Sequence, residues 1–439
     1  MRLGSVLSRG ITMIKGPVAR GSIIGLALRL SGLALMFIQT VLAARLLGAE
    51  EYGIVTLLLA IAQIATAVVL LGYGSFAVAE IPKGARPTTL IHHASKRIAT
   101  LSLLVLPAAF LSGVFLLGEL SWSLALPLLA SIPVLAAIQL LRGVALGLGR
   151  PFWGVAPGEV IRPALFVAAL MITAFFAQGS SALFIMLYMV TAIIALAIAL
   201  PGVMRPKFAT ASMKVAASDK RNWDRAALSF LGIHLATILQ LELATLMLGF
   251  LASPEAVGLF QPIARVSILL MLPTYALSIA FNPRISGLHA EGRSDEIQSL
   301  ARKHTLAATV IVSLAGLAVG LGAPALLWLF GTEFMAAAPL VWFLVIGRIV
   351  QAACGPGAEL LAMTGRSNRT LICLALSLVV EAVLAAILIP IYGLAGAAIG
   401  VAIGLGVRGL LLAAASHSVL KIGLIQFWRA APYQLKPLT

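Results

Sequence analysis

Charge is scarce in this sequence: only 10% of its 439 residues are Asp, Glu, Lys or Arg, while 61% are hydrophobic and the mean hydropathy is +1.06. A water-soluble surface carries charge on roughly a quarter of its residues, so a soluble globular protein is excluded. Runs of about 20 or more apolar residues recur along the chain, which is the length that a helix needs to cross a bilayer. Because polar and apolar residues do not alternate within these runs, the sequence predicts an all-α integral membrane protein and not a barrel.

Features of catalytic and metal-binding proteins are also missing. The two cysteines, Cys354 and Cys373, lie in separate apolar runs without His or Cys at ligand spacing, which favours core packing over a metal site or a disulfide. No phosphate-binding glycine loop is present, so direct ATP hydrolysis is not expected. Most links on one side of the membrane are only a few residues long, whereas a glycan polymerase or a lipid-linked glycosyltransferase would need a sizeable loop or domain there. These absences predict a protein that is not an enzyme and that has no cofactor or metal.

The apolar runs divide into twelve predicted transmembrane helices. The first run is much longer than the roughly 7–15-residue apolar region of a signal peptide and leads directly into the second, so no cleavage is expected. The predicted spans are residues 22–47, 53–79, 98–118, 122–148, 152–177, 182–203, 227–251, 256–281, 305–330, 334–361, 370–391 and 394–420.

The basic residues predict the orientation of these spans. Outside the spans, Lys and Arg occur only in the two terminal segments and in every second link, and the other links contain none. Since Lys and Arg collect on the cytoplasmic side, both termini are predicted to be cytoplasmic. The short acidic turn with Glu50 and Glu51 is then extracytoplasmic, together with Glu119, Glu255 and Glu333. The net charge of +16 is spread over many loops, which argues against a nucleic-acid partner.

The chain also repeats itself. Glu50 and Gly53 of "LLGAEEYG" match Glu255 and Gly258 of "LASPEAVG" at one fixed offset, and a similar Gly-Arg link follows a later span in each half. Each half holds six spans, an even number, so the halves are predicted to be related by a pseudo-two-fold axis along the membrane normal. Two six-helix bundles that flank a central cavity are therefore expected. The predicted parts are a cytoplasmic N-terminal segment (1–21), an N-terminal six-helix bundle (22–203), a cytoplasmic basic linker (204–226), a C-terminal six-helix bundle (227–420) and a cytoplasmic C-terminal tail (421–439).

Several motifs resemble one known family in their order and spacing. "ARLLGAEEYG" is followed one helix later by "GYGSFAVAE", and "NPRISGLHAEGRSDE", "LFGTEFMAAAPL" and "LIPIYGLAGAAIG" follow in the second half. Over residues 20–420 the chain resembles the polysaccharide flippases of the multidrug/oligosaccharidyl-lipid/polysaccharide exporter superfamily. Lipid II flippases and drug or cation antiporters share that fold, and both stay open as alternatives.

The resemblance implies a substrate and partners. The substrate would be an undecaprenyl-pyrophosphate-linked oligosaccharide that moves from the cytoplasmic to the periplasmic leaflet of the bacterial inner membrane by alternating access. The product would serve the biosynthesis of a surface polysaccharide, such as a lipopolysaccharide or an exopolysaccharide. The implied partners are membrane lipids, a glycan polymerase and other export proteins.

Seven arginines but only four carboxylates lie within the predicted spans. A charge in the membrane is costly, so an unpaired one should face a partner, water or a charged ligand. The surplus of positive charge argues for an anionic ligand and against a drug or cation antiporter, which would want an acidic or aromatic cavity. A diphosphate suits it, because the planar guanidinium binds phosphate oxygens in bidentate fashion. The residues are Arg29, Arg45, Arg142, Arg162, Arg265, Arg348 and Arg408, with Glu159, Glu242, Glu359 and Glu381.

Four of these arginines are the predicted substrate-binding residues. Arg265, Arg348 and Arg408 lie about 10 to 14 residues into their spans, hence near the midplane at about 1.5 Å per residue. Arg29 lies roughly two helical turns from the cytoplasmic end of its span. The alternative for each is a structural ion pair or polar packing. Lipid II flippases use arginines in their first and eighth spans, and the resemblance draws attention to Arg29 and Arg265 because they lie in those spans.

The other charged side chains have local interpretations. Arg45 and Arg142 lie near span ends, where a long side chain can reach the headgroups. Glu159 and Arg162 are three residues apart on one helical face and predict a local ion pair. Glu359, near a cytoplasmic end, is interpreted as interfacial.

Glu242 and Glu381 are the predicted ion-coupling residues. Both lie at similar depths in spans that start at the cytoplasm, so the pair could share a proton or a sodium ion. In the alternative, each neutralises a neighbouring arginine such as Arg408. Whether transport depends on a sodium ion, a proton or the membrane potential stays open.

Two further patterns concern helix packing. The glycine stripe "GAAIGVAIG", which starts at Gly396 and repeats every four residues, predicts a close-packed helix face. Pro262 and Pro273 each remove a backbone donor, and so predict a kink in the helix that carries Arg265.

Overall fold

The computed structural model describes residues 17–176, 179–204 and 217–420, and every regular element in these ranges is helical. Most of the predicted N-terminal segment, residues 205–216 of the basic linker and the C-terminal tail lie outside the described residues. The predicted bounds of the five parts therefore stay predictions.

The helices follow one another with short connections. The first half contains α1 (Pro17–Leu70), α2 (Tyr73–Glu80), α3 (Pro87–Leu117), α4 (Trp122–Gly147), α5 (Pro151–Ala156), α6 (Arg162–Phe176) and α7 (Ser181–Met204). The second half contains α8 (Ala217–Leu251), α9 (Pro254–Ile268), α10 (Met271–Ala290), α11 (Ser294–Trp328), α12 (Val341–Ala353), α13 (Gly357–Met363), α14 (Ser367–Tyr392) and α15 (Leu394–Leu420). A π-helical turn, Pro157–Ile161, joins α5 to α6, and a 3-10 segment, Thr332–Leu340, precedes α12.

Within the described residues, 11 helical segments are long and apolar enough to cross a membrane. The first of them, Ala27–Leu70, has 44 residues and is therefore about 66 Å long, twice the thickness of the hydrocarbon layer. Gly48 interrupts this segment with a φ of 73° and a ψ of 174°, a backbone conformation that is essentially restricted to glycine. The segment thus holds the first two predicted spans, and the predicted all-α membrane fold with twelve crossings is confirmed.

The described residues form two compact helical units. The N-terminal unit contains the described parts of Met1–Leu47 and Leu58–Leu235, and the C-terminal unit contains Gly48–Leu57 and the described part of Ala236–Thr439. The acidic turn after Gly48 therefore belongs to the C-terminal unit, although it lies between the first two spans in the sequence.

The repeated motif explains why that turn packs within the C-terminal unit. A Cβ atom on Gly53 would overlap the backbone oxygen of Pro254, and a Cβ atom on Gly258 would overlap the backbone oxygen of Ala49. Ala49 and Pro254 are equivalent in the repeat, as are Gly53 and Gly258. The contact is therefore reciprocal, as in an isologous contact around a two-fold axis. Small residues four positions apart allow this close approach of two helical turns.

The eighth predicted span is broken, as its prolines predict. Helix α9 ends at Ile268 and α10 begins at Met271, two residues before Pro273. Pro273 has no amide hydrogen, so the carbonyl of Leu269 receives no i+4 hydrogen bond from it. Pro262 lies inside α9, which continues through it.

Candidate functional site

A cavity of about 150 Å³ lies within the C-terminal unit, among its membrane-spanning helices. Its walls come from α10, α11, α12, α13 and α15. We call it the charged cavity, because two of the four predicted substrate-binding arginines line it. Its polar lining includes Ser278, His304, Arg348, Gln351, Glu359 and Arg408.

A close approach of α12 and α15 positions the two arginines. A Cβ atom on Gly347 would lie 2.8 Å from the Cα atom of Ala402, and one on Gly409 would lie 3.0 Å from the Cβ atom of Cys354. These glycines let the two helices approach each other at two levels. Each arginine is the neighbour of one of these glycines, Arg348 of Gly347 and Arg408 of Gly409. Cys354 is a free, buried thiol in this contact, which confirms the core-packing interpretation.

The guanidinium groups of Arg348 and Arg408 are only partly used by the protein. Arg348 donates from Nη1 to the side-chain oxygen of Gln351 at 3.2 Å. The Nε atoms of both arginines are buried and have no hydrogen-bond partner among the described residues. Buried donors of this kind normally find a partner in protein, water or ligand. Arg348 and Arg408 therefore carry donors that no described residue uses.

Glu381 lies beside these arginines on α14. Its carboxylate is buried, and it lies within electrostatic range of both Arg348 and Arg408. A Cβ atom on Gly404 would lie 2.9 Å from its Oε2 atom, so the glycine makes room for the carboxylate. Gly396 and Gly400 of the same stripe face α14 through Leu388 and Ala385. The stripe is a close-packed helix face, as predicted.

Glu359, which the sequence predicts to be interfacial, lines the charged cavity. Ser278 donates a hydrogen bond of 3.3 Å to its Oε1 atom. Glu359 also lies within electrostatic range of Arg408. His304 lines the same cavity, and both of its ring nitrogens are buried and have no hydrogen-bond partner among the described residues.

The charges of this site are balanced. Two arginines, Arg348 and Arg408, lie with two glutamates, Glu359 and Glu381. The surplus of intramembrane arginine therefore does not reside in this group of four residues. Such a group can exchange partners, because an incoming anion can take an arginine while the released carboxylate takes a proton or a cation.

The other two predicted substrate-binding arginines lie elsewhere. Arg265 is on α9, half-buried, and is not a lining residue of the charged cavity. It lies within electrostatic range of the hydroxyl of Tyr52, a buried group without a hydrogen-bond partner among the described residues. Arg29 is on α1 in the N-terminal unit and is half-buried. The structure thus brings two of the four together.

The orientation of Glu242 bears on the coupling prediction. On α8, Gln240 donates to Ser377 of α14 at 3.3 Å, whereas Thr245 accepts a hydrogen bond of 2.7 Å from Gln261 of α9. Successive residues of a helix are about 100° apart, so Glu242 lies about 200° around α8 from Gln240, which is nearly the opposite face. Glu242 lies only about 60° from Thr245. Glu242 is buried, and its angular position directs it away from α14, the helix that carries Glu381. The two carboxylates therefore do not face each other, and the coupling role of the pair stays a prediction.

The N-terminal unit pairs its intramembrane charges differently from the sequence prediction. Glu159 forms an ion pair with Arg142 of α4 at 2.6 Å, and not with Arg162. The π-helical turn that contains Glu159 widens the helix locally. The guanidinium of Arg162 lies over the ring of Tyr188, 4.7 Å from its centroid, in a cation-π contact.

A second polar group in this unit was not predicted. Asp224 of α8 accepts hydrogen bonds from the hydroxyl of Tyr73 and from the guanidinium of Arg97, and lies 3.0 Å from Nε2 of His93. We call these four residues the Asp224 cluster. Its neighbour Trp223 packs against the rings of Phe76 and His93. The start of α8 is thereby fixed to α2 and α3.

Sequence reasoning missed His304 and Gln351 as well as Asp224. His304 lies just outside the predicted span 305–330, yet it precedes Ala308 and Val312 by one and two turns, and these residues line the cavity on the same face of α11. That spacing was the available signal. Gln351 lies three residues after Arg348, on the same face of α12.

Comparison with known proteins identifies the fold. The sequence model of a family described as "Polysaccharide biosynthesis protein" matches residues 18–289. No curated protein sequence matches the chain. Many solved structures match its architecture, and three of them are described below; all three are so distant in sequence that the likeness concerns the fold alone.

The first is an inward-facing multidrug resistance MATE family transporter of the MOP superfamily, with 19% identity, a TM-score of 0.68, and coverage of 90% of this chain and 99% of that one. The second is the lipid II flippase MurJ in an inward closed conformation, with 11% identity, a TM-score of 0.72, and coverage of 90% and 87%. The third is a MOP superfamily transporter from Pyrococcus furiosus, with 16% identity, a TM-score of 0.60, and coverage of 94% and 98%.

Proposed function

The chain belongs to the polysaccharide biosynthesis protein family, and from that premise we propose that it is a flippase for a lipid-linked oligosaccharide. The substrate is an undecaprenyl-pyrophosphate-linked oligosaccharide, which moves from the cytoplasmic to the periplasmic leaflet by alternating access. The membrane is the bacterial inner membrane, with both termini in the cytoplasm. The transmembrane fold and the basic bias of alternate links support this proposal.

The observation that carries the proposal is the pair of arginines in the charged cavity. Arg348 and Arg408 keep buried Nε donors without a partner among the described residues, and both belong to membrane-spanning segments. Guanidinium groups bind phosphate oxygens through two parallel hydrogen bonds, and their charge does not depend on pH in the physiological range. A diphosphate is the charged group that the proposed substrate would bring to them.

The balancing carboxylates give the site a way to release its ligand. When the diphosphate binds Arg348 or Arg408, the proposal assigns a proton or a sodium ion to Glu381. Release of that ion restores the contact between carboxylate and arginine, which displaces the diphosphate. Coupling to an ion gradient or to the membrane potential would then make transport directional. Arg265 and Arg29 are proposed to contact the anionic substrate as well, outside the charged cavity.

A lipid II flippase is the second candidate, because a structure with this fold carries that name. Its substrate class would use the same arginines. A drug or cation antiporter is disfavoured, since Glu359 and Glu381 are balanced by the two arginines and leave no net negative charge for a cationic ligand. The proposal includes no catalytic step and no cofactor, and a glycan polymerase and other export proteins are the proposed partners.

Reconstitution with defined lipids tests the proposal. Purified protein is placed in proteoliposomes with a polyprenyl-diphosphate oligosaccharide, with lipid II or with a cationic drug, and arrival of each in the opposite leaflet is measured. The proposal predicts transport of the oligosaccharide lipid at a rate well above that of lipid II and no transport of the drug. Transport of the drug alone would contradict it, and transport of lipid II alone would establish the second candidate.

A further inference from the structure

A second polar pocket lies at the turn between α10 and α11, and it shares no lining residue with the charged cavity. Its volume is about 450 Å³. We call it the α10–α11 pocket. Its lining includes Arg284, Gly287 and Leu288 of α10, and Leu300 and Lys303 of α11. The pocket thus combines two long basic side chains with apolar ones from two adjacent helices.

The acidic residues of this pocket already have a partner. Arg293 donates to Oε2 of Glu291 at 2.7 Å and also pairs with Glu296. These two ion pairs close the tight turn between the helices. Because both carboxylates face Arg293, they are not the counterions of the other basic residues in the lining.

Arg284 and Lys303 are the basic residues that remain. Both are exposed, and neither has a hydrogen bond or ion pair with another residue in the described part of the chain. They lie on the two helices that border the pocket. Three basic and two acidic side chains line it in all, so its net charge is one positive. A phosphodiester carries a single negative charge and would neutralise the pocket. A diphosphate carries more negative charge than the pocket can balance.

An exposed apolar stripe begins at Lys303. Leu306, Val310 and Leu314 follow at intervals of three and four residues, so they lie on one face of α11 with the lysine. The distance from Lys303 to Leu314 is about 16 Å along the helix, which is about the depth of one leaflet of the hydrocarbon layer. A phosphate bound at the top of this stripe would therefore place an acyl chain against it.

We propose that the α10–α11 pocket binds an anionic membrane phospholipid. Arg284 and Lys303 hold its phosphate, and one acyl chain lies along Leu306, Val310 and Leu314. Basic pockets between transmembrane helices are suited to anionic headgroups, since the charge attraction adds to the apolar contact. This inference does not depend on which substrate the protein transports.

The test measures lipid binding to the full-length protein. The purified protein is freed of lipid in a neutral detergent and titrated with phosphatidylglycerol or with phosphatidylcholine, and native mass spectrometry counts the bound lipids. Removal of one charge-assisted contact to phosphate is expected to lower affinity about tenfold. Arg284→Gln and Lys303→Gln should each weaken phosphatidylglycerol binding by about that factor, while binding of phosphatidylcholine should be weak throughout.

A matched control and a steric variant complete the test. Arg302 is the exposed basic neighbour of Lys303 but does not line the pocket, so Arg302→Gln should retain phosphatidylglycerol affinity within about twofold. Gly287 has open space where a side chain would lie, so Gly287→Leu should fill the pocket without disturbing the fold and should also reduce binding. Thermal unfolding verifies that each variant is folded.

Three results would overturn the inference. Equal loss of affinity in Arg302→Gln would show that the lipid is attracted by the basic surface in general and not by the pocket. Equal binding of both phospholipids would show that binding does not depend on the charge of the headgroup. Displacement of phosphatidylglycerol by a polyprenyl diphosphate at much lower concentration would identify the transported lipid, and not a membrane phospholipid, as the occupant.

Discussion

Gly53 and Gly258 occupy equivalent positions of the internal repeat, and each lies against the backbone of the other copy. The missing side chains allow Ala49 to meet Gly258 and Pro254 to meet Gly53 at backbone distance. The contact joins the turn after Gly48 to the first turn of α9. The two copies of the motif are thus packed together within the C-terminal unit.

Substitution of either glycine should destabilise this contact. A Cβ atom in Gly53→Ala or Gly258→Ala would overlap a backbone oxygen, which cannot move as a flexible side chain can. We expect a loss of about 1–3 kcal/mol in the free energy of unfolding, measured by thermal denaturation of the purified protein. Gly322→Ala is the control, because open space surrounds Gly322 on α11. Equal stability of all three variants would show that the reciprocal contact is not close in solution.

The Asp224 cluster should stabilise the start of α8. Asp224→Asn keeps the shape of the side chain but removes the charge that Arg97 contacts, and we expect it to lower the free energy of unfolding by about 1–3 kcal/mol. Glu80→Gln is the control, because it removes only the exposed ion pair of Glu80 with Lys83 and should cost less than about 1 kcal/mol. Denaturation curves of both variants measure the change in the free energy of unfolding. A smaller loss for Asp224→Asn than for Glu80→Gln would contradict the stabilising role of the Asp224 cluster.

Glu381 should determine the ion dependence of transport. Glu381→Gln removes one of the two carboxylates that balance Arg348 and Arg408, so we expect transport to lose its response to pH or to sodium. Transport rates across a series of pH values and sodium concentrations measure this. Glu242→Gln changes a buried carboxylate that is directed away from α14. Transport by this variant should keep its response to pH or to sodium, which Glu381→Gln is expected to lose. The reverse result would return the coupling role to Glu242.

The fold was predictable because the membrane fixes both the length and the composition of a crossing helix. The twelve crossings follow from apolar runs, and the break before Pro273 follows from a missing amide hydrogen. The short helices within spans were not predictable in this way. The π-helical turn at Glu159 and the separation of α12 from α13 leave the apolar run continuous, so composition does not reveal them.

The candidate site was predictable only in part. Arg348 and Arg408 were predicted from their depth in their spans, because a charge near the midplane is costly and indicates a functional role. Their partners depend on tertiary packing. Gly355, with a φ of 86°, follows the end of α12 and redirects the chain, and Glu359 then lines the cavity. Likewise Arg142, on a different helix, reaches Glu159 although Arg162 is closer in sequence.

Arg265 gives a prediction that is separate from the charged cavity. We expect Arg265→Ala to reduce transport strongly while membrane insertion stays intact, since the loss of one charge-assisted contact costs about 1.5–3 kcal/mol. Arg265→Lys should restore transport only in part, because an ammonium group lacks the bidentate geometry. The transport assay with equal amounts of each variant measures this. Parent-like transport by the alanine variant would leave Arg265 with a packing role beside Tyr52.

The most direct test of the account is the effect of Arg348→Ala and Arg408→Ala on flipping of a polyprenyl-diphosphate oligosaccharide. Arg162→Ala serves as the matched control, because it removes an intramembrane arginine that lies over Tyr188 outside the charged cavity. The account predicts that each cavity variant lowers the transport rate about tenfold or more, at equal expression and with a folded protein, while the control stays close to the parent rate. Parent-like flipping by both cavity variants would contradict the assignment of the charged cavity as the site that binds the diphosphate.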